Sequence, residues 1–304
     1  MASIWCAFNL PDDALTELRA GTEGYELTHE PSDATTVVVG QPDPAVPLAS
    51  PALRFVQITT AGYTRYDTDD FRLKIGVPVC NSSSVFDEPC AQHLLAMMLA
   101  LARQLPQTVL EQAGAKGWPA DKIRTDSRLL RDQQVLLVGY GAIARRVAEL
   151  LAPFGLDLVA VRRNVRGDET VPTYPIEKLD ELLSSADHVA NILPANASTD
   201  GLFDAGRFAA MKPGAIFYNI GRGTTVEQGA LVKALSTGQL SAAYLDVTDP
   251  EPLPSDHPLW TAPNCWITPH TAGGHGPEWK RLVRHFLDNL RRFEKGEPLV
   301  DRVM

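Results

Sequence analysis

Apolar residues in this chain follow two rhythms. Short β-branched and aromatic runs, IWCAF (4–8), TTVVVG (35–40), RFVQITT (54–60) and VPVCN (77–81), alternate with helical or turn segments up to about residue 81. That alternation predicts a small parallel α/β unit. Residues 88–104, EPCAQHLLAMMLALARQ, then place apolar side chains nearly all round a helix, as expected for one buried between two layers or two domains. From about residue 134 the alternation restarts with QVLLV, LDLVAV, HVANIL, AIFYN, AAYLD and WITP, separated by helical spacing near 142–153, 176–184, 204–211 and 226–237. Six strands with helical crossovers describe a doubly wound parallel sheet. A last helix carries Trp279, Leu282, Val283, Phe286, Leu287, Leu290 and Phe293 on one face. Since the doubly wound unit sits in the middle of the chain, this helix is expected to return to the N-terminal unit and make that domain discontinuous.

Composition adds mainly exclusions. The 304 residues carry a net charge of -9, which argues against nucleic acid or an anionic membrane as partner, because both want a basic face. Four cysteines (Cys6, Cys80, Cys90, Cys265) lie far apart with no CxxC pair, so neither structural zinc nor a disulfide framework is expected. The opening MASIWCAFNLPDD lacks the basic and long apolar regions of a signal peptide. The longest apolar run, LLAMMLALA, is about half of what crosses a bilayer. Reduced thiols and a cytoplasmic location are the expectation, with no metal.

The first chemistry appears at 139–144. Gly139, Gly141 and Ala144 form G-x-G-x-x-A directly after an apolar strand and at the head of a helix. There the first glycine allows a tight turn, the second lets a pyrophosphate approach, and the amides of the first helical turn, Ala142 and Ile143 among them, bind it. At the end of the next strand, twenty-three residues after Gly139, an NAD site would carry an acid for the adenosine ribose; this chain has Arg162 and Arg163. A carboxylate repels a ribose 2′-phosphate, whereas a guanidinium forks onto it with charge-assisted bonds worth about 1.5–3 kcal/mol each. NADP(H) is therefore the expected coenzyme, with NAD(H) as the alternative.

Three later segments follow strands of the same unit and so fall at the carboxyl edge of its sheet: NIGRGTTVE (219–227), LDVTDPEPLP (245–254) and ITPHTAGG (267–274). They offer Arg222, Glu251 and His270. An arginine there can hold a substrate carboxylate and polarise the neighbouring carbonyl, a histidine can deliver a proton to the alkoxide, and a carboxylate can fix that imidazole in its proton-donating form.

These motifs, with ITTAGYTRYD (58–67), SVFDEPCAQHLLAMMLALAR (84–103) and LPANASTDGLFDAGRFAAMKPGAIFYNIGRG (193–223), resemble the D-isomer-specific 2-hydroxyacid dehydrogenase family over nearly the whole chain, and the arginine pair is similar to its NADP-preferring glyoxylate/hydroxypyruvate reductases. The resemblance implies two Rossmann-like domains, with a doubly wound nucleotide domain (105–274) inserted in a smaller flavodoxin-like substrate domain (1–104 and 275–304). It implies that Arg222 anchors the 2-oxo acid, that His270 is the acid/base paired with Glu251, and that Asp246 contacts the nicotinamide carboxamide. Further coenzyme contacts implied are Leu193, Pro194, Thr199, Ile220, Gly221 and Gly273, while amides at Ala61 and Gly62 receive the substrate carboxylate. An interdomain cleft and a homodimer joined through the nucleotide domains are implied too.

The chain departs from the family where NSSSV (81–85) replaces a Pro-Gly pair and where GYTRYD replaces a smaller loop, so Tyr63, Arg65, Ser83 and Ser84 bear on substrate choice. His275 lies near the TPH loop; His93, on the long helix, reads as a hydrogen-bonded core residue and Trp260 as packing. Two other functions fit the fold: an NAD(P)-sensing binding protein, and a formate- or phosphite-type dehydrogenase. The intact Arg, Glu and His set weighs against the first, and nothing in the loops points to the second.

Overall fold

The computed structural model of the protein describes residues 2–304. By contacts the chain divides into two compact units, one running through Phe86 and resuming at Gly274–Met304, the other Asp87–Gly273.

In the first unit, β1 (Ser3–Ala7), β2 (Glu26–Thr28), β3 (Thr35–Gly40), β4 (Phe55–Ile58) and β5 (Val79–Cys80) form a parallel sheet in the order β2-β1-β3-β4-β5. This is the flavodoxin-like order. β2 escaped the pattern because it is a three-residue edge strand with no fully buried position. The C-terminal helix Glu278–Lys295 lays Val283, Phe286 and Leu290 onto Ile4, Val37, Val39 and Phe55 of the sheet. Each such burial stabilises by about 1.5–3 kcal/mol. Asn289, fully buried on the same face, satisfies its amide by donating to Gln57 Oε1 at 2.8 Å and to the Val300 carbonyl at 3.0 Å.

The long helix runs Ser83–Ala102, starting five residues ahead of the expected range. Its opening amides find acceptors that local spacing cannot reveal: Ser83 N–H donates to Asn81 Oδ1 at 3.2 Å and Ser84 N–H to Asp301 Oδ2 at 2.8 Å. Instead of being apolar-buried all round, it buries Ala91, Leu94, Met98 and Leu101 and exposes Gln92 and Ala96. Most of it groups with the second unit, so the boundary lies at 86/87 where 104/105 was expected. The ties responsible are Glu88 with Arg146, His93 with Tyr244, and the Ala102 carbonyl with Arg128 N–H.

The second unit holds seven parallel strands: β6 (Gln134–Val138), β7 (Asp157–Arg162), β8 (Thr173–Pro175), β9 (His188–Asn191), β10 (Ala215–Asn219), β11 (Leu240–Leu245) and β12 (Cys265–Ile267), in the order β12-β11-β10-β9-β6-β7-β8. Six were expected; β8, three residues ending in proline at the sheet's edge, is the addition. Leu136, Val138, Val161, Val189, Phe217 and Leu245 fill its core. His188, 2% exposed, bonds Tyr218 and Gln133, and burial lowers it to about 4, so it sits neutral in the core. Strand order reverses between β6 and β9, the switch point where ligands of such sheets collect. Among the described residues no helix is long and apolar enough to cross a membrane, and no group of His, Cys, Asp and Glu could hold a metal.

Candidate active site

The fingerprint turn leaves β6 at the switch point. Gly139 has φ +95°, and a Cβ on it would stand 3.1 Å from the Ile192 carbonyl oxygen beyond β9, so the glycine serves both the turn and the close approach. Gly141 is followed by the helix Ala142–Leu151 and faces open space, with nothing within 4 Å of where a Cβ would be. The first-turn amides of that helix have no intrahelical acceptor and carry the positive end of its dipole, which suits a pyrophosphate. Ala144, fully buried, lets helix and sheet approach.

Loops after β9 and β10 flank this turn. Thr199 Oγ1 donates to the Pro194 carbonyl at 2.7 Å, Leu193 N–H donates to Asn191 Oδ1 at 3.3 Å, and Gly221 lies so close that a Cβ would meet Leu193 O at 2.6 Å. Leu193, Pro194, Thr199, Ile220 and Gly221 are thus brought together.

Of the two arginines, Arg162 is spoken for: its Nη1 donates to Glu169 Oε1 at 2.7 Å, and its side chain is 15% exposed. Where the sequence led to an expected phosphate contact, the structure has the guanidinium paired with a buried carboxylate, which largely neutralises it. The Arg166 backbone N–H, with that of Gly167 and the Arg162 guanidinium behind it, holds the Glu169 carboxyl down at about 2, so the carboxylate is ionised at any working pH. Arg163 is exposed.

At the other end of the sheet, His270 Nδ1 and Glu251 Oε2 are 2.8 Å apart, and Glu251 Oε1 accepts Thr248 N–H at 3.1 Å. With Nδ1–H donated to the carboxylate, Nε2 is the ring atom left for a substrate. His270 sits at φ +53°, a left-handed conformation costly for a non-glycine residue, and the loop around it is tied down accordingly. Its N–H bonds the Asp246 carbonyl at 2.8 Å, while the Asp246 carboxylate accepts Thr271 N–H at 2.9 Å, Ala272 N–H at 3.0 Å and Thr268 Oγ1–H at 2.6 Å. Asp246, 3% exposed, is thus first a tether for the histidine loop.

Two residues absent from the expected site extend that tether: Tyr244 OH bonds Thr268 Oγ1 at 2.5 Å and is itself met by His93 Nε2. Neither stands in a catalytic motif. Arg222 follows β10, and its carbonyl is held by Asn219 Nδ2 at 3.0 Å and Thr225 Oγ1 at 2.6 Å. The next residue, Gly223, packs flush on Thr248, which places the arginine's loop against the one that carries Glu251. Cys90, lifted to about 12 by burial, feels both Asp246 and Arg222.

Trp260 is not packing: it is 50% exposed, and its Nε1–H donates to the Pro254 carbonyl at 2.9 Å, pinning the DPEPLP loop. In the first unit, the Ala61 carbonyl accepts from Asn81 Nδ2 and the Gly62 carbonyl from Thr60 Oγ1, both at 2.7 Å, which fixes that loop's backbone. Ser84 Oγ donates to Asp301 Oδ2 at 2.7 Å, and His275 Nε2 lies 3.3 Å from Arg281 Nη1.

This arrangement, a nucleotide-type turn and an Arg, Glu and His set on one sheet edge, is that of a coenzyme-dependent oxidoreductase. Residues 95–272 match the model of the D-isomer specific 2-hydroxyacid dehydrogenase NAD binding domain, and the chain belongs to that family. The human glyoxylate reductase/hydroxypyruvate reductase is 30% identical over 250 residues, 81% of this chain and 76% of that one. Among solved structures, a D-isomer specific 2-hydroxyacid dehydrogenase from Xanthobacter autotrophicus Py2, in complex with NADPH and MES, is 27% identical with a TM-score of 0.84, covering 99% of this chain and 97% of that one. An NADPH-dependent glyoxylate/hydroxypyruvate reductase from Sinorhizobium meliloti, in complex with NADP and sulfate, is 25% identical with a TM-score of 0.81 and the same coverage.

Proposed function

We propose that the protein reduces a small 2-oxo acid of the glyoxylate or hydroxypyruvate type to the D-2-hydroxy acid, using NADPH. The observation that carries this reading is the His270–Glu251 pair, 2.8 Å apart, on the sheet edge that also bears Arg222 and the fingerprint. Relatives that reduce glyoxylate and hydroxypyruvate, and neighbours holding NADPH or NADP, support it. A sensor would have no use for a histidine oriented by a carboxylate.

The open space at Gly141 and the amides of Ala142 and Ile143 fit a pyrophosphate; Leu193, Pro194, Thr199, Ile220, Gly221 and Gly273 would line the coenzyme, and Arg163 would meet its adenosine end. When bound, the coenzyme supplies the hydride. Arg222 holds the 2-oxo acid and draws charge toward the carbonyl oxygen, so that negative charge developing there is stabilised. His270 Nε2 delivers the proton, and Glu251 holds the ring in the tautomer that can. Asp246 keeps the histidine loop in place, and its Oδ2, with one N–H accepted, has capacity for the carboxamide. Ala61 and Gly62 would bind the carboxylate through their amides.

Initial rates over a panel of 2-oxo acids, with formate and phosphite as controls, test the reading. We expect turnover of glyoxylate or hydroxypyruvate with kcat/KM for NADPH about tenfold or more above NADH, the scale of one charge-assisted contact. Turnover of formate or phosphite alone, or preference for NADH, overturns it.

A homodimer is part of this proposal. Leu105, Val109, Leu110, Trp118 and Leu129 are 52%, 60%, 59%, 93% and 68% exposed within one 25-residue stretch of the second unit, more apolar surface than a monomer leaves in one place. Light scattering at the monomer mass would refute it. Four free cysteines suit a reducing, cytoplasmic setting.

A further inference from the structure

The loop between β7 and β8 is built around one carboxylate. Glu169, its side chain 4% exposed, accepts Arg162 Nη1–H at 2.7 Å and Arg166 N–H at 2.8 Å through Oε1, and Gly167 N–H at 2.8 Å through Oε2. Two further ties fasten the same loop to the fingerprint. Tyr140, between the two fingerprint glycines, hydrogen-bonds Thr170 at 2.7 Å through its hydroxyl. Arg145, on the fingerprint helix, stacks 5.5 Å over the Tyr140 ring and donates to the Asp168 carbonyl at 2.9 Å.

So many fixed points on an exposed loop call for a reason. Charge supplies it: Arg162 is cancelled by Glu169 and Asp168 faces Arg145, so the loop's remaining charge resides on Arg163 and Arg166. Both are exposed, and among the described residues neither guanidinium forms a salt bridge. A phosphate monoester carries about -1.5 to -2 at neutral pH, which two guanidiniums match.

We propose that Glu169 is a positioning residue for coenzyme choice: by holding Arg162 as a strut and gathering the amides of residues 166 and 167, it sets Arg163 and Arg166 as the pair that grips the ribose 2′-phosphate. This rests on the coenzyme reading above and reassigns the work within it. Arg162 shapes the loop, Glu169 shapes Arg162, and Arg166 joins Arg163 at the ligand.

The test uses the adenosine end alone, so it needs no 2-oxo acid. Calorimetric titration of the full-length protein with 2′,5′-ADP and with 5′-AMP is compared among wild type, Arg163→Ala, Arg166→Ala, Glu169→Gln and Arg162→Met. We expect each exposed-arginine variant to weaken 2′,5′-ADP about tenfold or more, as for loss of one charge-assisted contact, with 5′-AMP changed less than about twofold. Glu169→Gln and Arg162→Met should weaken 2′,5′-ADP about threefold or more, again sparing 5′-AMP. If Arg162 were itself the reader, Glu169→Gln would free it and tighten 2′,5′-ADP; that result, or equal losses for both probes, overturns the proposal. So does unaltered 2′,5′-ADP binding in Arg163→Ala and Arg166→Ala, both surface changes that leave the fold alone. Wild type binding both probes equally would sink the coenzyme preference itself, whereas 2′,5′-ADP affinity unchanged in Glu169→Gln overturns the role proposed for Glu169 and leaves that preference standing.

Discussion

Replacing His270 by glutamine will lower kcat at least about a hundredfold, the usual range for losing a general acid. Glutamine can still bond Glu251 but has no proton to give from the position of Nε2. Since the residue lies on the loop after β12 and not at the fingerprint, NADPH affinity should stay within about twofold, read by quenching of intrinsic fluorescence. Near-wild-type kcat would eliminate the acid role. Position 270 sits at φ +53°, which glutamine tolerates less readily than histidine, so the melting temperature is measured alongside and a collapse there would be a different fault from the one expected.

The second large effect is structural. A Cβ on Gly223 would fall 2.0 Å from both the carbonyl carbon and oxygen of Thr248 and 2.6 Å from Asp249 N, all backbone atoms. Gly223→Ala must therefore push apart two loops with no side chain to yield, an overpacking at the upper end of its range, about 3 kcal/mol. At 2–4 °C per kcal/mol for a unit of this size, the melting temperature should drop by about 6–12 °C. Activity should fall with it, because Thr248 N–H is the group that holds Glu251 Oε1. An alanine variant that melts with the wild type and turns over normally would show that the two loops do not pack as described.

The first effect acts on a residue that a reading of the chain picks out, and the reason is local; Gly223 stands out only once the loop after β10 is seen against Thr248. The buried strands β6, β7 and β9–β11 are continuous apolar runs, as parallel strands covered on both faces must be, so they announce themselves. His270 and Glu251 stand in short motifs at strand ends. What escaped has non-local causes. β2 and β8 are edge strands of three residues, recognisable only beside their neighbours. The long helix begins at Ser83 because Asp301, over two hundred residues away, accepts the amide of Ser84 in its first turn. Tyr244 and His93 meet across 151 residues. Arg162 and Glu169 are only seven apart, yet periodicity does not apply in a loop, and an acid there looks like any solvated charge.

The discontinuity of the first unit also governs how the chain is made. Its sheet lacks Val283, Phe286 and Leu290 until the last helix is synthesised, and the β5 residue Cys80 pairs antiparallel with Arg302. At 5–20 residues per second, the stretch between Phe86 and Gly274 keeps the ribosome busy for roughly 10–40 s. Throughout that interval the inserted unit can finish folding while one face of the earlier sheet remains greasy and uncovered, an open invitation to holdase chaperones during translation.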